Sequence, residues 1–249
     1  MSVLYGRNPV IEALKKGDSI LKIYLQRGVQ GPKIRQIQVT ARKKQIPVVE
    51  ADAGKLKQLT AGGNHQGVAA LLSQIAVVPL ERLLSRIAAQ SAPPLLVLVD
   101  RIQDPHNLGA IIRSAEVLGA DGVLVSTRET APLTDTVLKT SAGAALNIPL
   151  CRVSNLARIV PELKSANFWV YGTVPRAGKS LWAMDFSVPT ALLIGNEEKG
   201  IRPQLQKMCD DLFTIPQKGK TDSLNASVAA GIVLAEVLRQ RSGSRGSQP

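Results

Sequence analysis

Three polar stretches, each placed after an apolar run, carry the side chains with which this chain could do chemistry. The first is Asp100-Arg101-Ile102-Gln103-Asp104-Pro105-His106-Asn107, with Arg113 a little further on. The second, Gly195-Asn196-Glu197-Glu198-Lys199-Gly200, holds carboxylates between two glycines, and glycine lets a backbone approach a ligand closely. The third, Ser223-Leu224-Asn225-Ala226-Ser227, offers two hydroxyls and an amide ahead of an apolar segment. Such a set suits a polar ligand held by backbone, with a guanidinium and a carboxylate at hand. Each piece also has a plainer reading. Arg113 can pair with Glu116 on a helix surface, worth about 0.3 kcal/mol. The glycine segment can be an ordinary charged turn. Ser223 and Asn225 can serve only as alternative N-caps.

Other familiar constellations are missing. No strand is followed by GxGxxG, and neither GxxxxGK[ST] nor GxSxG occurs. His65 and His106 are the only histidines, which argues against a metal site and against a metal cofactor. Cys151 and Cys209 lie far apart without CxxC spacing, so they read as buried structural thiols in a reducing cytoplasm.

The elements that must position these side chains alternate. Leu95–Val99, Gly122–Val125, Phe168–Gly172, Ala191–Gly195 and Leu212–Ile215 read as buried strands, with helical patterns at 108–118, 132–139, 155–165, 202–208 and 226–240. Near-continuous apolar strands between helices predict an α/β domain with a mostly parallel sheet covered on both faces. Ligands of such sheets collect beyond the carboxyl ends of the strands, where the three polar stretches fall. Asn107 is expected to cap the helix whose apolar stripe is Leu108, Ile111, Ile112, Ala115 and Leu118.

Ahead of this domain lies a smaller α/β pattern. Asn8-Pro9 is expected to open a helix ending at Gly17, and Pro32 opens another, with Ile34, Ile37 and Ala41 on one face. Leu21–Leu25, Ile46–Glu50 and Gly67–Leu72 read as strands, the last one central, and Asp52 as a helix cap. The expected division is a small domain over 1–74, a linker over 75–93 with a short amphipathic helix, a large domain over 94–241, and a disordered tail over 242–249.

The 249 residues carry a net charge of +12, with 45% hydrophobic and only 3% aromatic residues. That apolar content excludes intrinsic disorder. No run approaches the roughly 18–20 apolar residues of a membrane span. The N-terminus lacks the basic and apolar regions of a signal peptide, which favours the cytoplasm. Of the net charge, +8 falls on residues 1–74 and only +2 on 94–241. A basic module beside a nearly neutral domain points to nucleic acid as partner. Arg7, Lys43, Lys44, Lys55, Lys57 and His65 are the candidate contacts, although Lys43 and Lys44 also suit a helix C-terminus.

Taken in order, Asn107 with Arg113, Gly195-x-Glu197-x-x-Gly200 and Ser223-Leu224-Asn225-x-Ser227 resemble the three motifs of the SpoU (TrmH-type) RNA 2′-O-ribose methyltransferases of the SPOUT superfamily. The stretches DPHNLGAIIRSAEVLGADGV and YGRNPVIEAL look most like the bacterial 23S rRNA guanosine 2′-O-methyltransferase branch. Residues 1–74, including His65–Gly67, are similar to that family's L30e-like RNA-binding domain. The resemblance implies a C-terminal trefoil knot, a homodimer with its active site near the dimer interface, and S-adenosylmethionine bent within the knot. The donor would rest on Thr173, Val174, Gly195, Asn196, Gly200, Ile215 and Leu224. Arg113, Asn107, Glu197, Ser223 and Asn225 would carry catalysis, with Glu198 as the alternative carboxylate. A guanidinium stays protonated, so Arg113 would clamp phosphate and stabilise the developing alkoxide rather than act as a base. The same reaction on tRNA or another rRNA site, and a non-catalytic RNA-binding assembly factor, are the other readings.

Overall fold

The computed structural model describes residues 2–16, 20–44, 46–73, 75–176, 178–196, 200–220 and 223–243. The chain forms two compact units, one of residues 1–76 with 132–135 and the other of residues 77–131 with 136–249.

In the smaller unit, β1 (Ser2–Tyr5), β2 (Ile20–Gln26), β3 (Val48–Ala51) and β4 (Val68–Leu72) form a sheet of order β1-β4-β2-β3. β4 runs antiparallel to both neighbours, and β2 pairs with β3 in parallel. β4 is inside the sheet, as its apolar run VAALL requires. Helices α1 (Arg7–Lys16) and α2 (Pro32–Lys43) bury Val10, Leu14, Ile34, Ile37 and Ala41 against Ile23, Leu25 and Ala70. Asp52 caps α3 (Ala53–Leu59), its carboxylate accepting from the Lys55 backbone N–H at 2.7 Å. Helix α1 begins at Arg7, two residues before Pro9, the first helical position that Asn8-Pro9 suggests. Asn8 is therefore inside it, and its Oδ1 accepts from Lys33 Nζ at 2.7 Å instead of capping.

In the larger unit, seven strands pair in parallel in the order β7-β6-β5-β10-β8-β11-β9. They are β5 (Leu95–Val99), β6 (Gly122–Ser126), β7 (Leu150–Val153), β8 (Trp169–Thr173), β9 (Lys179–Ser180), β10 (Thr190–Ile194) and β11 (Asp211–Thr214). Every residue of β5, β6 and β10 is buried, so both faces of the sheet centre are covered. On one face, α4 (Leu80–Ala88), α7 (Leu156–Ser165) and α8 (Pro203–Gln206) pack Leu83, Ile87, Val160, Leu163 and Leu205 onto Leu96, Leu98, Ala191 and Leu193. The opposite face belongs to α5 (Pro105–Val117) and α9 (Ala226–Gly243), which pack on each other. Helix α6 (Asp135–Thr140) lies so close to α5 that a Cβ on Gly109 would come within 2.8 Å of Thr140 Cβ.

The sheet order turns at β5. β6 and β7 extend to one side, while β10 and β8, later in sequence, extend to the other. Parallel sheets place a ligand crevice at such a switch point, beyond the carboxyl ends. No helix among the described residues is long and apolar enough to cross a membrane.

Candidate functional site

The site grows from the adjacent ends of β5 and β10. Ile194 pairs with Val99, and the Asp100 N–H donates to the Ile194 carbonyl at 2.9 Å, so the two following segments leave the sheet side by side. After β10 the chain folds back on itself: Asn196 bridges Gly200, and the Gly200 N–H donates to the Asn196 carbonyl at 2.8 Å. The turn is tight enough to demand glycine at its start. A Cβ on Gly195 would sit 2.5 Å from the Ile201 nitrogen, a contact with backbone that no side-chain motion relieves. Gly195→Ala is therefore expected to cost about 1–3 kcal/mol of folding stability by forcing the turn open, measured by denaturant unfolding.

The carboxyl end of β5 carries a buried ion pair. Asp100 is fully buried, and its oxygens accept from Arg202 Nη2 at 2.6 Å, Arg202 Nε at 3.2 Å and the Arg202 backbone N–H at 3.3 Å. Arg101 Nε stands 3.7 Å from the same carboxylate, and its Nη2 donates to the Gly200 carbonyl at 3.1 Å. Asp100 and Arg101 open the first polar stretch, but no spacing singles out either of them, or Arg202, as a site residue. A charged pair directly after a buried strand is the only local signal, and Arg202 is 102 residues from its partner.

The third segment joins the first. Asn225 Oδ1 accepts from the Ser227 and Val228 backbone N–H groups and from Ser227 Oγ, so it caps α9. Its Nδ2 donates to Asn107 Oδ1 at 3.0 Å. Asn107 can make this bond because the cap of α5 is Asp104, which accepts from the His106 N–H at 2.8 Å, with Pro105 in the first helical position. The expectation that Asn107 caps α5 is corrected accordingly: its side chain ties α5 to the start of α9.

Thr173, Val174, Gly195, Asn196, Gly200, Ile215 and Leu224 line one pocket, together with Ser223. These residues come from the ends of β8, β10 and β11 and the approach to α9. The wall is more apolar than polar, as in pockets that take small organic ligands. Glu197 and Glu198 lie outside the described residues. Arg113 does not line the pocket. It is exposed on α5, and no ion pair joins it to Glu116 among the described residues. Burial pushes the Cys151 thiol up to about 12, aided by Glu81, and the Cys209 thiol up to about 11. Both stay protonated at neutral pH, so neither supplies a nucleophilic thiolate. Among the described residues no cluster of His, Cys, Asp and Glu could hold a metal ion.

In the smaller unit, Arg7, Lys57 and His65 line one groove with Gln26, Asn64 and Gln66. Arg7 Nε donates to the Gln66 carbonyl at 3.0 Å. His65 Nδ1 accepts from the Gly67 N–H at 3.1 Å, which leaves the ring proton on Nε2. Lys43, Lys44 and Lys55 are exposed but outside this groove. Lys43 ends α2, Lys44 is its C-cap, and Lys55 follows the start of α3.

Comparison with known proteins converges on one family. Residues 94–235 match the SpoU rRNA Methylase family, and residues 3–76 match the RNA 2′-O ribose methyltransferase substrate binding domain. A putative TrmH family tRNA/rRNA methyltransferase of Bacillus subtilis is 38% identical, covering 95% of this chain and 94% of its own length. An uncharacterized tRNA/rRNA methyltransferase of Synechocystis is 42% identical over 98% of this chain, which spans 64% of that relative's length. The SpoU methyltransferase AviRb from Streptomyces viridochromogenes, solved in complex with AdoMet, superimposes with a TM-score of 0.62 at 26% identity, covering 97% of this chain and 90% of its own. An AdoMet-bound rRNA methyltransferase from Sinorhizobium meliloti gives a TM-score of 0.59 at 29% identity, over 95% and 86% of the two chains. The chain belongs to the SpoU (TrmH-type) family of RNA methyltransferases, which take their methyl group from S-adenosylmethionine.

Proposed function

We propose that the protein methylates the 2′-hydroxyl of a ribose in RNA, with a guanosine of 23S rRNA as the target. The observation that carries this reading is that the second and third motif segments line one pocket beyond the sheet's switch point, while the first is tied to the third beside it by the bond from Asn225 to Asn107. When bound there, S-adenosylmethionine supplies an electrophilic methyl group. The residues fit it: the Gly195 turn leaves no room for a side chain, and Thr173, Val174, Ile215 and Leu224 give an apolar and main-chain lining.

The protein's own groups then position and stabilise. In-line transfer depends chiefly on holding the ribose oxygen in place. Ser223, at the pocket wall, and Asn225, fixed by its cap and by Asn107, orient the ribose and close the donor loop. Arg113 clamps the target's phosphate and stabilises the developing alkoxide, the 2′-hydroxyl proton being shared with that phosphate and released to solvent, with Glu197 steadying Arg113 by a charge-assisted hydrogen bond. The exposed position of Arg113 suits a homodimer whose second copy completes the site. Val117, four residues on and so on the same helix face, is 67% exposed, a large apolar surface for a partner copy to cover. A trefoil knot fits the sheet order, which inserts β10 between β5 and the earlier strand β8. The domains proposed are residues 1–74 for RNA recognition and 94–241 for methyl transfer, in the cytoplasm.

Mapping 2′-O-methyl marks on total RNA from cells with and without the gene tests the target. A single 23S guanosine that loses its mark supports the reading. A lost tRNA mark, or a different rRNA site, overturns the target but not the reaction. No lost mark, with no binding of S-adenosylmethionine, overturns both in favour of an assembly factor. The charge distribution makes a further prediction. RNA affinity should fall by orders of magnitude between about 50 and 200 mM salt, because each phosphate contact releases counterions. Donor affinity, measured in parallel, should stay nearly constant.

A further inference from the structure

Arg101 occupies an unusual position for its type. It is the second residue past the end of β5 and adopts a left-handed backbone, φ 60°, where a β-carbon is strained and glycine is at ease. Its side chain is only 16% exposed. Both ends of the Asn196–Gly200 turn meet this one residue. The Arg101 carbonyl accepts from Asn196 Nδ2 at 3.4 Å, and its guanidinium donates to the Gly200 carbonyl at 3.1 Å. Asp100 lies beneath, held by Arg202, and Arg101 Nε stands 3.7 Å from its carboxylate, close enough for charge attraction but without a hydrogen bond, so the bond to Gly200 is the one the guanidinium makes to the turn. Arg101 itself does not line the pocket, whereas Asn196 and Gly200 do. A strained, mostly buried arginine that straddles the turn points to a role for its side chain there.

We propose that Arg101 is a positioning residue for the methyl-donor site, acting by holding the Asn196–Gly200 turn in its donor-binding shape. The proposal rests on the reading of that pocket as the S-adenosylmethionine site. Without the guanidinium, the Gly200 carbonyl loses its charged donor, and Gly200 is no longer held where it lines the pocket beside Asn196. Each donor molecule then binds a smaller competent fraction, and the apparent affinity drops by that fraction.

The full-length Arg101→Gly variant separates this role from a contribution to folding, since glycine relieves the left-handed strain while deleting the guanidinium. In calorimetric titration with S-adenosylmethionine, Arg101→Gly is expected to bind about tenfold more weakly than the wild type. Its melting temperature without donor should be unchanged or higher, and added guanidinium ion at millimolar concentration should restore part of the affinity, which potassium at equal ionic strength should not. Equal donor affinity in the two proteins overturns the proposal while leaving the pocket's identity intact. Weaker binding accompanied by a lower melting temperature, and not rescued by guanidinium, overturns it in favour of a purely structural arginine. Failure of the wild-type protein to bind the donor overturns the pocket reading, and the proposal with it.

Discussion

Replacing Arg113 by alanine should lower single-turnover methyl transfer, at saturating RNA and donor, by about 10²–10³-fold, the usual cost of deleting one group that stabilises developing charge. Donor affinity and melting temperature should hardly change. The separation follows from where the side chain is. Arg113 is exposed on α5, lies outside the donor pocket and is not paired with Glu116 among the described residues. An exposed side chain with no such partner contributes within about 0.5 kcal/mol to folding. The surface ion pair that the i,i+3 spacing allows is thus not what this arginine is for. Arg113→Lys should recover only part of the rate, because an ammonium lacks the planar fork that grips phosphate oxygens in two places. An Arg113→Ala protein that methylates at the wild-type rate would remove the residue from the mechanism.

The largest effect on stability is expected at Asp100. Asp100→Ala removes a fully buried carboxylate on which Arg202 converges with three donors and beside which Arg101 lies. It leaves the Arg202 guanidinium without its carboxylate partner and Arg101 without the nearby negative charge. Breaking a buried pair in this way costs about 3–5 kcal/mol. At roughly 2–4 °C per kcal/mol for a chain of this size, the melting temperature of the larger unit should fall by about 10 °C. The double variant Asp100→Ala with Arg202→Ala should lose less than the sum of the two single losses, since the second change removes a charge that the first had stranded. Additive losses, measured by denaturant unfolding, would contradict the pairing.

How far this architecture could be read in advance differs from element to element. The central strands β5, β6 and β10 are long apolar runs bounded by polar ends, and a strand buried on both faces has no other appearance. The alternation of those strands with helices sufficed for a parallel α/β domain. Strand β7 was missed because it is short, Leu150–Val153, and Arg152 interrupts its apolar pattern. The two-residue β9 and the four-residue β1 have no periodicity to detect. Asn107 reads from sequence as the cap of α5 for a definite reason: an asparagine directly before the apolar stripe has cap chemistry, and only Pro105 in the first helical position points to Asp104 instead. At α9, by contrast, the plain N-cap reading of Asn225 is realised, and the same amide also reaches Asn107.

The candidate site was legible where spacing within a segment encodes it and illegible where only the fold does. Gly195 and Gly200 mark a turn that the structure closes so tightly that a β-carbon has no room. Thr173, Val174, Ile215 and Leu224 were placed with them by family resemblance, and they share the pocket. The contact of Arg101 with Gly200, by contrast, spans 99 positions, and nothing in either residue's neighbourhood announces it. The basic groove shows the same division. Charge counting put the RNA-binding character on the first 74 residues, but only the fold gathers Arg7, Lys57 and His65 and leaves Lys43, Lys44 and Lys55 elsewhere.

The central claim, ribose methylation of RNA from S-adenosylmethionine, is tested most directly by the chemistry of the product. Purified protein is incubated with S-adenosylmethionine labelled in its methyl group and total RNA from cells lacking the gene, and the RNA is then hydrolysed in alkali. A 2′-O-methyl group removes the hydroxyl that alkali needs to cleave the adjacent phosphodiester, so the label should appear in an alkali-resistant dinucleotide. Label recovered in mononucleotides would place the methyl group on a base, and either that outcome or the absence of label would contradict the account.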